Sequence, residues 1–379
     1  MTAVSKTARV LGMMAAAGMA PRAVALLELN AGHDEVDVTA SYGITYDSNL
    51  FAQAGGGGDY SQAFALGTQY ARRAGVIGVK ASLGLTATRF RKFSGEDFNN
   101  PALDLTFTKE TGRLTGSFGL SAQRESRTDA AANVFASSWN YGSSLRFRYP
   151  INSRYYFTSA TDFSLSDYLE NSALFNLKSY SEALDVFYVY TSKLDLLGGY
   201  RIRWGDAEGG SRTVDNALTL GATGGILPKL NGSVRFGYQW RDESGGTEGS
   251  FNSLTTSLAL TWPLTTRVTF TGAASKDFTT TATDISVNVT AFGVSASLRP
   301  TFKLKVVLNA GVDYSISDFL GSRGGGRQDH AWSCNAGLSV PLSSKFSASI
   351  SYAYSDNHST IAFSAFARHT TTFNLSARF

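Results

Sequence analysis

The chain has one cysteine, Cys334, in 379 residues. That excludes a disulfide framework and a structural zinc site built on several thiolates. Charged side chains make up only 17%, against about 25% in ordinary soluble domains. No run of about 18 apolar residues occurs, so membrane-spanning helices are excluded. Histidine is scarce and scattered, at His33, His330, His358 and His369. Asp329-His330 and Asp356-x-His358 fall in expected loops, where polar residues need no catalytic role, and a base with its partner makes strict geometric demands. The glycine runs at 55–58 and 324–326 lack the following helix and lysine of a phosphate cradle. Net charge is +4, from 34 Lys+Arg and 30 Asp+Glu, but no element carries a basic cluster. The expectation is therefore a non-enzyme with no cofactor, no metal and no nucleic-acid partner.

What is abundant is glycine, at 38, together with 17 tyrosines and 25 phenylalanines. At the front, Lys6 and Arg9 precede the small apolar stretch Val10–Ala20, and Ala23-Val24-Ala25 offers an A-x-A cleavage site. The pattern predicts a signal peptide over 1–25 and one domain over 26–379. A buried N-terminal helix is the alternative.

From Val36 on, apolar residues take every second position: Val36, Val38, Ala40, Tyr42, Ile44, Tyr46. Period two places alternate side chains on opposite faces of a strand. The pattern returns at Leu83 and Leu85, at Leu145 and Phe147, at Leu184 and Val186, at Phe236 and Tyr238, and at Leu308, Ala310 and Val312. Short turns appear near 73, 111, 150, 191, 228, 263, 300 and 341, and five of the seven prolines sit in them. Proline suits these places because its φ is preset and it lacks the N–H of a central strand. Longer polar connections lie between, such as 49–59, 125–133, 205–212, 241–250 and 321–329. Eight short turns alternating with nine long loops give eighteen strands, with sixteen as the alternative count. The fold class expected is all-β: a transmembrane antiparallel up-and-down β-barrel with short periplasmic turns and longer extracellular loops. In lipid such a sheet must close, since no edge N–H or C=O can stay unpaired.

Aromatics at strand ends fit interfacial girdles, with Trp139, Trp204, Trp240 and Trp332 on the loop side and Trp262 on the turn side. One strand breaks phase: Ile285, Val287 and Val289 run odd, then Val294, Ala296 and Leu298 run even. A β-bulge near Phe292 would restore it; a misread strand is the other reading.

The ending Phe373-Asn374-Leu375-Ser376-Ala377-Arg378-Phe379 alternates and closes on phenylalanine. It resembles the C-terminal signal of barrels inserted by the bacterial outer-membrane assembly machinery. The resemblance implies that Phe373, Leu375, Ala377 and Phe379 form the insertion signal and that this machinery is a partner. The stretch Tyr46-Asp47-Ser48-Asn49-Leu50-Phe51 resembles the Y-D-x-N-[LV]-F opening of the second family of β-barrel porins, which includes barrels of exopolysaccharide operons. It implies the outer membrane of a Gram-negative bacterium, with its lipid as a further partner.

With the apolar phase toward lipid, Arg146, Arg148, Arg201, Arg203, Arg235 and Asp195 face the lumen. Charged rings set ion preference in pores. The function expected is passive diffusion of small hydrophilic solutes with mild anion preference, Arg201, Arg203 and Arg235 lying near the constriction. Two alternatives are a barrel associated with exopolysaccharide export and a plugged surface-binding barrel, with 91–100 and 167–176 as candidate inward loops. The charges could instead pair across strands and rigidify the wall.

Overall fold

The computed structural model describes residues 27–29, 34–73, 75–169, 174–245, 249–300 and 305–379. The expected signal peptide lies outside them. Nineteen strands follow one another among the described residues. The first half comprises β1 (Leu27–Leu29), β2 (Asp34–Asp47), β3 (Asp59–Arg72), β4 (Gly78–Phe90), β5 (Phe98–Lys109), β6 (Thr115–Asp129), β7 (Val134–Pro150), β8 (Tyr155–Leu169) and β9 (Leu177–Val189). The second comprises β10 (Leu194–Ala207), β11 (Arg212–Leu227), β12 (Leu230–Ser244), β13 (Gly249–Pro263), β14 (Val268–Thr280), β15 (Ser286–Leu298), β16 (Val307–Phe319), β17 (Gln328–Pro341), β18 (Phe346–Ser359) and β19 (Phe366–Arg378). One short helix, α1 (Gly321–Gly324), interrupts the loop before β17. No helix among the described residues is long and apolar enough to cross a membrane.

Each strand from β2 to β19 pairs antiparallel with the next, and β19 pairs with β2 from Thr370↔Asp47 to Arg378↔Thr39. That ladder closes an eighteen-stranded barrel, as the turn count predicts. The three-residue β1 pairs with β2 beyond the end of β19, from Leu27↔Val36 to Leu29↔Asp34. Inside the seam, Arg378 binds Asp37 at 2.9 Å and Arg368 binds Asp47, so an ion pair stands at each end of it. Phe379 extends the ladder by exchanging two backbone hydrogen bonds with Val38, at 2.8 and 2.9 Å.

The period-two pattern decides which face is wet. Outward positions carry the exposed apolar set, among them Leu83, Leu218, Leu220, Leu254 and Val294. Exposure of this much apolar surface is stable only in hydrocarbon. Trp204 stands 5.4 Å from Tyr180, and Trp332 5.0 Å from Tyr354, near the loop-side rim. Trp139 stacks with Tyr141 and Trp240 lies beside Tyr238 on the same side. Trp262 faces Phe270 at the turn side.

Several long connections are shorter than expected, because strands climb into them. β6 runs to Asp129, β10 to Ala207 and β12 to Ser244, which takes up much of 125–133, 205–212 and 241–250. Hydroxyl- and charge-rich sequence reads as loop, yet above the membrane a strand needs no lipid-facing apolar set.

The bulge expected near Phe292 is absent. β15 keeps continuous register with β14 through Ala274↔Phe292 and with β16 through Phe292↔Tyr314. Phase changes for another reason: Val287 and Val289 point inward and are 2% and 7% exposed. They pack with Phe319, Ile285 and Ala131 in an apolar cluster inside the barrel.

Candidate functional site

The lumen is where this fold can do chemistry, and its two sides differ. Toward the loop-side ends of β10–β14 it is filled. The β13–β14 ladder runs from Pro263↔Thr269 only to Thr256↔Lys276, although both strands continue. Beyond Lys276, β14 leaves the wall and turns inward, keeping its pairing with β15. The freed end meets strands far from it in sheet order. Asp277 accepts from Arg201 of β10 at 2.7 and 3.0 Å and from Arg203 at 3.3 Å. Arg203 also donates to the Phe278 carbonyl at 2.6 Å and to Asp215 of β11 at 2.5 and 2.8 Å. Arg241 of β12 binds Asp215 at 2.6 and 2.8 Å and the Thr279 carbonyl at 2.9 Å. Arg241, Asp215 and Phe278 are all nearly inaccessible. Buried charges persist only when paired and hydrogen-bonded, and here every guanidinium has a carboxylate.

The hairpin tips then join over the loop-side mouth. The 281–285 turn places Ala282 against Ala136 and Leu174, and the Ala282 carbonyl accepts from the Phe175 N–H at 2.7 Å. Asp284, fully buried, accepts from the backbone and hydroxyl of Ser211 and from Arg323 of α1. Arg327 donates to the Ala131 carbonyl at 2.8 Å. Asn133 donates to the Ala52 carbonyl at 2.6 Å and accepts from Ser364 at 2.7 Å. Ala131 lies between β6 and β7, whereas Val287 and Phe319 belong to β15 and β16. Seven of the eighteen strands lie between them on either side, so opposite walls are bridged. Of the two candidate inward loops, 167–176 contributes Leu174 and Phe175 to this bridge. The other, 91–100, is tied at Lys92 and Phe93 to Asp59 at the barrel rim, and the main inward element is the β14–β15 tip. Its signal in the sequence was the odd-phase pair Val287 and Val289.

The six expected pore-lining residues all point inward, and each has a partner. Arg146 binds Asp162 across β7–β8 at 2.8 and 3.0 Å. Arg148 lies 3.7 Å over the Tyr156 ring, whose hydroxyl donates to Asp195 at 2.6 Å. Tyr156 stacks on Phe187 with centroids 4.5 Å apart, and Leu197 completes this turn-side cluster. Arg235 binds Asp185 at 2.8 and 2.9 Å although three strand positions separate β9 from β12. Glycines allow that reach. A Cβ at Gly199 of β10 would stand 2.0 Å from the Asp185 carboxylate, and one at Gly221 of β11 would stand 3.1 Å from the Arg235 side chain. Arg201 and Arg203 are thus brought together at the inward fold. Arg235 lies on β12, separated from them by β11 rather than beside them.

The other side, along β5–β9, stays open. A cavity of about 340 Å3 is bounded there by Asp104, Ser121, Gln123, Ser138, Asn140, Ser164 and Ser166, among others. No group of His, Cys, Asp and Glu among the described residues has the arrangement of a metal site.

Comparison with known proteins agrees with this architecture. Residues 199–379 match the family described as Putative beta-barrel porin 2. Among solved structures, OccK2 (OpdF) of Pseudomonas aeruginosa is 10% identical and covers 91% of this chain and 97% of its own, with a TM-score of 0.51. The same protein in complex with glucuronate gives 10%, 91%, 98% and 0.51. OccAB4 of Acinetobacter baumannii is 13% identical, covering 91% and 98%, with a TM-score of 0.49. At such identity the OccK2 likeness shows the fold alone. No curated protein matches the chain. The chain folds as an eighteen-stranded β-barrel like those of outer-membrane porins, and its C-terminal part resembles the second β-barrel porin family.

Proposed function

We propose that this barrel is a passive diffusion channel for small hydrophilic solutes, with its path along the β5–β9 wall. The observation that carries the reading is a closed eighteen-stranded wall whose inner face is hydrophilic and leaves a cavity along β5–β9. Barrels of this strand number are wide enough for water. The filled β10–β14 side and the bridged mouth narrow that path. Because Arg146, Arg201, Arg203 and Arg235 are paired with carboxylates, the mild anion preference expected from their number reduces to a small effect. Nothing in the path asks for a reacting nucleophile or base, and the role proposed is transport without catalysis. The same proposal takes residues 1–25 as the export signal, 26–379 as one barrel domain, and Phe373, Leu375, Ala377 and Phe379 as the strand read by the assembly machinery.

A second reading, a plugged surface-binding barrel, draws support from the bridge between Ala131 and the Val287–Phe319 cluster. Single-channel recording of the refolded mature protein in an asymmetric KCl gradient separates the two. Stable small openings with a reversal potential near zero support the narrow channel. A folded, heat-modifiable barrel that never conducts moves the assignment to the plugged form.

A further inference from the structure

We propose that the cavity on the β5–β9 wall is a binding site for an uncharged, polyhydroxylated solute of mono- or disaccharide size, and that it disfavours anions. The proposal deepens the channel reading and rests on it only for how the solute arrives.

Neutral groups dominate the cavity wall. Ser121 and Gln123 come from β6, Ser138 and Asn140 from β7, and Ser164 and Ser166 from β8. Serine hydroxyls and carboxamides both donate and accept. A polyol has the same dual character at every hydroxyl, whereas an anion offers acceptors alone. Part of the wall is preorganised: Ser166 donates to Asn140 Oδ1 at 2.7 Å, and Asn140 Nδ2 donates to Ser138 at 3.0 Å. Those two contacts hold the Asn140 amide in one orientation. Tyr168, Ala136 and Leu177 supply apolar surface at the loop end, suited to the C–H faces of a sugar ring. A volume near 340 Å3 falls at the small end of small-molecule sites.

Charge opposes anions here. Four carboxylates bound the cavity, Asp104, Glu125, Asp129 and Asp162, against two arginines, Arg127 and Arg146. Arg146 is held by Asp162, and Arg127 stands 3.8 Å from Glu125. Asp129 accepts from the Ala131 and Ala132 N–H groups, and no cation pairs with Asp104 among the described residues. The local balance is negative although the chain as a whole is positive. A unit charge at contact distance in a wet pore shifts affinity by about fivefold.

The test uses calorimetric titration of the detergent-refolded, heat-modifiable barrel with sucrose and, separately, with glucuronate. Sucrose is expected to bind saturably in the millimolar range, with glucuronate about fivefold weaker at low salt and the gap closing at high salt. Asn140→Leu should abolish sucrose binding, and the milder Ser164→Ala should weaken it severalfold in a barrel that still shifts on heating. Asp104→Asn should strengthen glucuronate about fivefold at low salt and so narrow its gap to sucrose. Glucuronate binding as tightly as sucrose, or sucrose binding indifferent to Asn140 and Ser164, overturns the proposal. Binding in detergent needs no conduction. A barrel that binds sucrose but never conducts rejects the channel reading and keeps the site; one that conducts without binding sucrose does the reverse.

Discussion

Asp277 is the residue on which the inward fold of β14 turns, and replacing it by asparagine tests that fold directly. The substitution keeps shape and removes charge. Asp277 accepts three charge-assisted hydrogen bonds, two from Arg201 and one from Arg203. Removing one partner of a fully buried ion pair costs about 3–5 kcal/mol, chiefly because the other charge is stranded. Two features lower that figure. The Arg201 and Asp277 side chains are 29% and 22% exposed, and Arg203 retains Asp215. A loss of about 2 kcal/mol follows once that screening is allowed for. Reversible urea unfolding of the refolded barrel measures it, and a double-mutant cycle with Arg201→Gln isolates the coupling. Because the contact joins a tucked segment to the wall, the variant should also raise proteolytic cleavage between Thr279 and Ser286 and enlarge single-channel conductance. An Asp277→Asn barrel with wild-type midpoint, cleavage and conductance would refute the clamp.

Other outcomes follow from the same geometry. Leu220, 73% exposed on the outer face of β11, should cost about 2–4 kcal/mol when changed to arginine, as lipid-facing charge does near the bilayer midplane. The same change at inward Thr219 should cost far less, and unfolding from lipid vesicles compares them. Gly199→Ala puts a Cβ 2.0 Å from the Asp185 carboxylate and must displace the Arg235 pair. A loss of about 1–3 kcal/mol is expected, and a double substitution with Asp185→Asn should add little to it. Deleting Phe379 removes two seam hydrogen bonds with Val38, an edge contact with Phe346 and the ring beneath the Lys345 ammonium. Assembly yield in outer membranes should fall sharply while refolding in detergent falls less; equal yields in cells would oppose a signal role.

Alternation in β2, β4, β9 and β12 was enough to place one face in lipid and the other in the lumen, because strand period depends on neither partner nor distance. Tight turns were legible for the same local reason, proline and polar residues marking where pairing reverses. Strand number and barrel class followed. The inward direction of Arg146, Arg201, Arg203 and Arg235 was legible too, since parity alone decides it. Their partners were not. Asp277 meets Arg201 from 76 positions away, and Asp185 meets Arg235 across two intervening strands, over glycines that mean little until the sheet curves. Val287 and Val289 looked like a slipped strand, because period-two reasoning assumes that apolar side chains point to lipid. Inside a barrel that folds a hairpin tip into its own lumen, the same residues find an apolar partner on the opposite wall. Local periodicity by itself thus determined the wall and the face each side chain takes; closure, neutralised charge and the open stretch along β5–β9 required the chain to come back on itself, where contacts between distant residues decide what space is left.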